Sequence, residues 1–88
     1  MIITLTRDLV SDIAADLEGR TEVYRDDGDT AKLAAVDAAL AWVHGVGAAL
    51  VLLNGELVAA VPAAHQAEIQ LSLDNLANLE AELRKLGR

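Results

Sequence analysis

The apolar surface of this chain comes almost entirely from Ala, Leu and Val. Hydrophobic residues make up 53% of the sequence, yet Trp42 and Tyr24 are the only Phe, Trp or Tyr residues in it. Ala and Leu lose little side-chain freedom in a helix, so this palette favours closely packed helices. It supplies few aromatic walls for a small-molecule pocket and almost no platforms on which bases could stack. The 88 residues read as one domain, 1–88. A domain of that size buries only about two thirds of the surface its unfolded chain exposes. An apolar fraction above the ordinary ~45–50% therefore points to surface left over for a protein interface. Part of the excess is alanine, which counts as apolar while contributing little.

Cysteine is absent, which excludes disulfides, a thiolate nucleophile and cysteine-ligated zinc, and suits a reducing compartment. The opening Met-Ile-Ile-Thr-Leu-Thr has no basic region and no small-residue cleavage site, so no secretory signal is expected. The longest apolar run, Val46 to Leu53, falls short of the ~20 residues of a spanning helix, so none is expected. These features lead us to expect a cytoplasmic or virion location. Net charge is −7, and the seven Lys and Arg residues are scattered. Phosphate-backbone binding needs such residues clustered, so neither direct nucleic-acid binding nor attachment to an anionic membrane is expected.

The spacing predicts a mainly α chain of α+β class, with three helices and one small β-hairpin. The first helix, Thr6–Leu17, opens with Thr6 as N-cap and carries Val10, Ile13 and Leu17 on one face. Gly19 either ends it or the pattern runs on to Val23 and Tyr24. Arg25 to Asp29 is a break, with Gly28 supplying backbone freedom and Asp29 or Thr30 capping the next helix. That second helix, Ala31–His44, has Leu33, Val36, Leu40 and Val43 as its stripe. Ala34, Ala35, Ala38 and Ala39 permit close helix approach, and Gly45 and Gly47 loosen the end. Asn54-Gly55 lies between two apolar runs, the strongest short-range hairpin signal. Two helices meeting at a glycine cap is the competing reading for 48–61. Pro62 suits the first turn of the third helix, Ala63–Leu86. Its stripe is Ile69, Leu73, Leu76, Leu79, Leu83 and Leu86, and positive charge at Arg84, Lys85 and Arg88 suits its C-terminal end. A shorter helix beginning at Ser72 or Asp74 is the alternative.

Few residues offer chemistry. Asp8, Asp12 and Asp16 lie four apart on one side of the first helix, either as a solvated face relieved by Arg20 or as an acidic stripe for a basic partner. Asp26, Asp27 and Asp29 fail the calcium-loop pattern: with Gly28 as the loop glycine, Val23, Arg25 and Ala34 fall on ligand positions. His44 and His65 stand far apart and form no zinc-binding motif. Ser11 and Ser72 sit in no nucleophile motif and near no histidine in sequence. Gly45-Val-Gly47 follows a helix and is no dinucleotide loop. No catalytic, cofactor-binding or metal-binding residue is assigned, and no small-molecule substrate is expected. Trp42 reads first as core filling and, if exposed, as a binding anchor. Leu73, Leu76, Leu79 and Leu83 are expected to be buried, within the domain or against a partner.

The order helix, hairpin, helix over 31–86, with the segment Leu71-Ser-Leu-Asp-Asn-Leu-Ala-Asn-Leu-Glu-Ala-Glu-Leu83, resembles small phage head–tail joining proteins. Pro62–Gln70 and the first helix are additions to that pattern, and no site residue carries over. The resemblance implies a virion component. The leading expectation is a non-catalytic assembly or interaction subunit acting through a protein partner or as a homo-oligomer. The runner-up is an acidic inhibitor of the anti-defence, nucleic-acid-mimic, antitoxin or immunity type, which would bind a basic protein surface.

Overall fold

Alternation of apolar residues opens the chain as a strand. Ile3 and Leu5 point inward while Ile2 and Thr4 stay exposed, and Ile2–Thr6 forms β1. The computed structural model describes residues 1–53 and 55–87. β1 leads directly into α1 (Arg7–Asp27), then α2 (Thr30–Leu53), β2 (Glu56–Ala60), a short 3₁₀ turn (Ala63–His65) and α3 (Gln66–Leu86). The class is mainly α, with three helices and a two-stranded antiparallel sheet among the described residues.

The strand partners differ from the sequence expectation. β2 lies just after Gly55, where a strand is expected, but it pairs with β1 in the register Ile2↔Ala60 through Thr6↔Glu56. The Val61 N–H donates to the Met1 carbonyl at 2.8 Å and extends the ladder by one bond. The expected first strand of the hairpin, residues 49–53, is instead the last turn of α2. Tertiary packing explains the difference. Continuing the helix puts Leu50 seven residues after Val43 and Val43 seven after Val36, on one face, and all three are buried. Asn54, the first residue of the expected turn, lies outside the described residues; Gly55 has φ +146°.

Both remaining helix boundaries also lie beyond the expected ones. α1 starts as anticipated: the Thr6 hydroxyl accepts from the Leu9 N–H at 3.2 Å. It then runs through Gly19 to Asp27, because Thr21 and Tyr24 continue the face begun by Val10, Ile13 and Leu17. It ends at Gly28, whose φ of +72° is a left-handed cap. Asp29 caps α2, its carboxylate accepting from the Lys32 N–H at 3.1 Å. α2 does not stop at His44. Gly47 is used for proximity, since a Cβ there would lie 3.3 Å from a methyl of Val10. α3 is one helix after the 3₁₀ turn, so neither the later start at Ser72 or Asp74 nor extended chain at 67–71 is present.

α1 lies between α2 and α3 and packs on both, whereas α2 and α3 meet little. The molecule is a slab of 39 × 38 × 20 Å. A helix with side chains is ~10 Å across, so the thin dimension holds only two layers. The core is correspondingly narrow: Leu5, Val10, Ile13, Leu17, Val36, Ala39, Val43, Leu50, Val61 and Ile69. Much of α2 faces outward. Ala31, Ala34, Ala38, Ala41, Gly45, Ala48 and Leu52 form an exposed row opposite the Val36, Val43 and Leu50 face. Of the alanines expected to pack closely, Ala39 is buried and Ala35 half-buried, while Ala34 and Ala38 are exposed. Residues 30–52 also form the one described helix long and apolar enough to cross a membrane by length and composition. That corrects the expectation drawn from the shorter run 46–53.

Candidate interaction surface

α3 carries its apolar residues along a single seam, and the seam changes character from one end to the other. Ile69 and Ser72 are fully buried against α1. Leu73 and Leu76 are half-buried at the edge of the core. Beyond them Leu79, Leu83 and Leu86 are 55%, 58% and 80% exposed. Within the chain, then, Leu79 and Leu83 are not core residues. Trp42 is half-buried against the core, its ring centroid 6.3 Å from that of His65. This is the core-filling role rather than an exposed anchor.

A groove runs beside the exposed leucines. It has a volume of about 500 Å³, and Leu9, Leu73, Leu76, Leu79 and Leu83 give it an apolar floor. Asp12 of α1 and Glu80 of α3 line it with acid. Grooves with an apolar floor and charged edges suit an amphipathic helix.

The three aspartates of α1 do not act alike. Asp8 and Asp12 are exposed. Asp16 is turned into the α1–α3 contact and is the centre of a polar network. One of its carboxylate oxygens accepts from Arg20 Nε at 3.1 Å and from Ser72 Oγ at 2.7 Å; the other accepts from Asn75 Nδ2 at 3.2 Å. Arg20 then reaches across to donate to the Glu68 carboxylate at 2.6 Å, the Glu68 carbonyl at 2.8 Å and Ser72 Oγ at 2.7 Å. The expected Arg20–Asp16 relief is present. The continuous acidic stripe is not, because Asp16 is engaged in holding two helices together. Glu68, Ser72 and Asn75 were missed as members of this network. The available signal was a serine on an otherwise apolar seam, seven residues before Leu79 and three after Ile69: a buried hydroxyl needs partners.

A second groove, between α1 and α2, brings together Arg7, Ser11, Glu18 and His44 above Val10 and Leu50. Ser11 and His44, distant in sequence, share this groove, but no hydrogen bond joins them. A serine nucleophile requires a base within hydrogen-bond reach, and that contact is not made. Ser72 is buried with its hydroxyl occupied on both sides. His65 is half-buried, and its Nδ1 is buried without a partner. Among the described residues no group of three or more His, Cys, Asp or Glu side chains is placed to hold a metal ion.

Comparison with protein-family models, curated proteins and solved structures finds no match to this chain. The helix–hairpin–helix order behind the resemblance to head–tail joining proteins is also absent from 31–86, because 49–53 is helical. That resemblance is carried no further.

Proposed function

We propose that this protein is a non-catalytic interaction subunit that binds a protein surface through the exposed leucine end of α3. The single observation that carries this reading is the continuity of the seam. The residues that build the core at Ile69 recur at the same spacing at Leu79, Leu83 and Leu86, where the described residues leave them open to solvent. Contiguous exposed apolar side chains beside a groove are a mark of protein contact. The core packing of α2 against α1 through Val36, Ala39, Val43 and Leu50 supports reading α2 as a helix of the folded domain.

The acidic-inhibitor reading retains Asp8 and Asp12 and the net charge of −7. It loses Asp16 to the α1–α3 network, which leaves a shorter acidic face than the sequence suggests. One experiment separates the two. Association is measured for the Leu79→Glu/Leu83→Glu variant and for the Asp8→Lys/Asp12→Lys variant across a salt series. An interaction subunit loses its partner with the first variant, keeps it with the second, and tolerates salt, since exposed charges contribute little. Loss with the aspartate variant and with moderate salt, but not with the leucine variant, would promote the inhibitor.

A further inference from the structure

We infer that His65 is an acid-sensitive latch: taking up a proton forces its ring out of the contact with Trp42 and frees the start of α3 from α2. Those two helices meet little elsewhere, so this contact is a main tie between them. His65 ends the 3₁₀ turn Ala63–His65, immediately before α3, and that turn packs on both helices. Its ring centroid lies 6.3 Å from that of Trp42, and its Nδ1 is buried with no hydrogen-bond partner. The neutral ring suits this place by carrying its single proton on Nε2 and leaving Nδ1 bare. The imidazolium does not, because both of its nitrogens donate. It puts an N–H bearing part of the ring's charge where nothing accepts it, and burying such a group without a partner is costly.

The surroundings do not offset that cost. The ring precedes the first turn of α3, whose partial positive charge opposes a cation. At 6.3 Å and tilted by 39°, the Trp42 ring stands slightly beyond the ~6 Å at which an aromatic face holds a cation. The charged or titratable groups of α2 are Lys32, Asp37 and His44, and Glu68 is the first of α3. At about 100° per residue, Asp37 and His44 leave α2 on the side away from Trp42. Lys32 pairs with Asp29, and Glu68 with Arg20. Asp74 and the charges after it lie further along α3. Among the described residues no carboxylate pairs with His65. The unfolded chain takes up this proton freely. It therefore binds more protons than the fold does in the histidine range, and stability falls as pH falls.

Trp42 is the chain's only tryptophan and His44 its only other histidine, so the contact can be read alone. Long-range proton–nitrogen correlation spectra of the full chain at about pH 8 should show the His65 proton on Nε2 and a bare Nδ1. A proton on Nδ1 overturns the inference. Between about pH 8 and about pH 5, Trp42 emission should shift to the red in the wild type and in His44→Gln, and stay fixed in His65→Phe. His65→Phe keeps an aromatic ring and removes the orphaned nitrogen. It should fold with unchanged helical circular dichroism and a thermal midpoint at or above that of the wild type. Across the same pH range the wild-type midpoint should fall by roughly 5 °C or more relative to that variant. His65→Gln, which also lacks a titrating group, repeats the test with a smaller polar side chain and should likewise lose the emission shift. A shift that persists in either His65 variant, or that disappears in His44→Gln, overturns the inference. So does a wild-type midpoint that follows pH no more steeply than that of His65→Phe.

Discussion

The two halves of α3 have the same pattern and opposite surroundings. From Gln66 to Asn75 the seam faces α1, and Ile69 and Ser72 are wholly withdrawn from water. From Leu79 onward the same spacing continues, but the leucines face solvent. The difference is one of packing rather than composition: beside Leu79 and Leu83, Leu9 and Asp12 of α1 line an open groove instead of closing over the leucines. Helical periodicity says which face is apolar. Whether anything lies on that face depends on how closely the neighbouring helix approaches it.

The comparison can be broken first at its buried end. Ile69→Ala should destabilise the fold by ~2–5 kcal/mol, the ordinary cost of truncating a fully buried aliphatic side chain. Urea denaturation checks this. A loss near zero would mean that the two halves are alike after all. Next is the network that fastens the buried half to α1. Arg20→Ala removes the donor to the Glu68 carboxylate and one of the donors to Asp16 in a partly buried site, and should cost about 2–3 kcal/mol in the same assay. An effect within the scatter of surface substitutions would show that the network is ornamental. Gly28→Ala forces an alanine to φ +72° at the C-cap of α1 and should cost about 1–2 kcal/mol, lowering the thermal midpoint without altering association. The smallest folding effect belongs to the exposed half: Leu83→Ala should change the unfolding free energy of the isolated chain by no more than about 0.5 kcal/mol. Measured at a concentration where the protein is monomeric, a larger loss would place Leu83 in the core.

Much of this architecture is written in local spacing. Val10, Ile13 and Leu17, then Val36 and Val43, then Ile69 each mark the buried face of a helix. Thr6 and Gly28 mark the ends of α1 through cap chemistry that depends on only a few neighbours. Spacing could not supply the competition between distant segments. Ala49–Leu53 fits either a strand or a helix by composition, and the choice was made by Leu50 reaching the core beside Val43. The partner of β2 lies far back in the sequence, in β1, where two isoleucines and two threonines carried a strand signal that the Asn54-Gly55 turn motif overshadowed. The candidate surface was half legible. The leucine row was evident, whereas its division into buried and exposed portions, and the withdrawal of Asp16 from the acidic row, depend on how α1 and α3 cross.

Amide hydrogen exchange of α3 at several protein concentrations tests the division most directly. Amides of 70–75 should be protected to the same degree throughout, because the chain itself covers them. Amides of 79–86 should exchange faster, because the chain itself leaves the leucines of that half open to solvent. Equal protection of both halves at the lowest concentration would contradict the account.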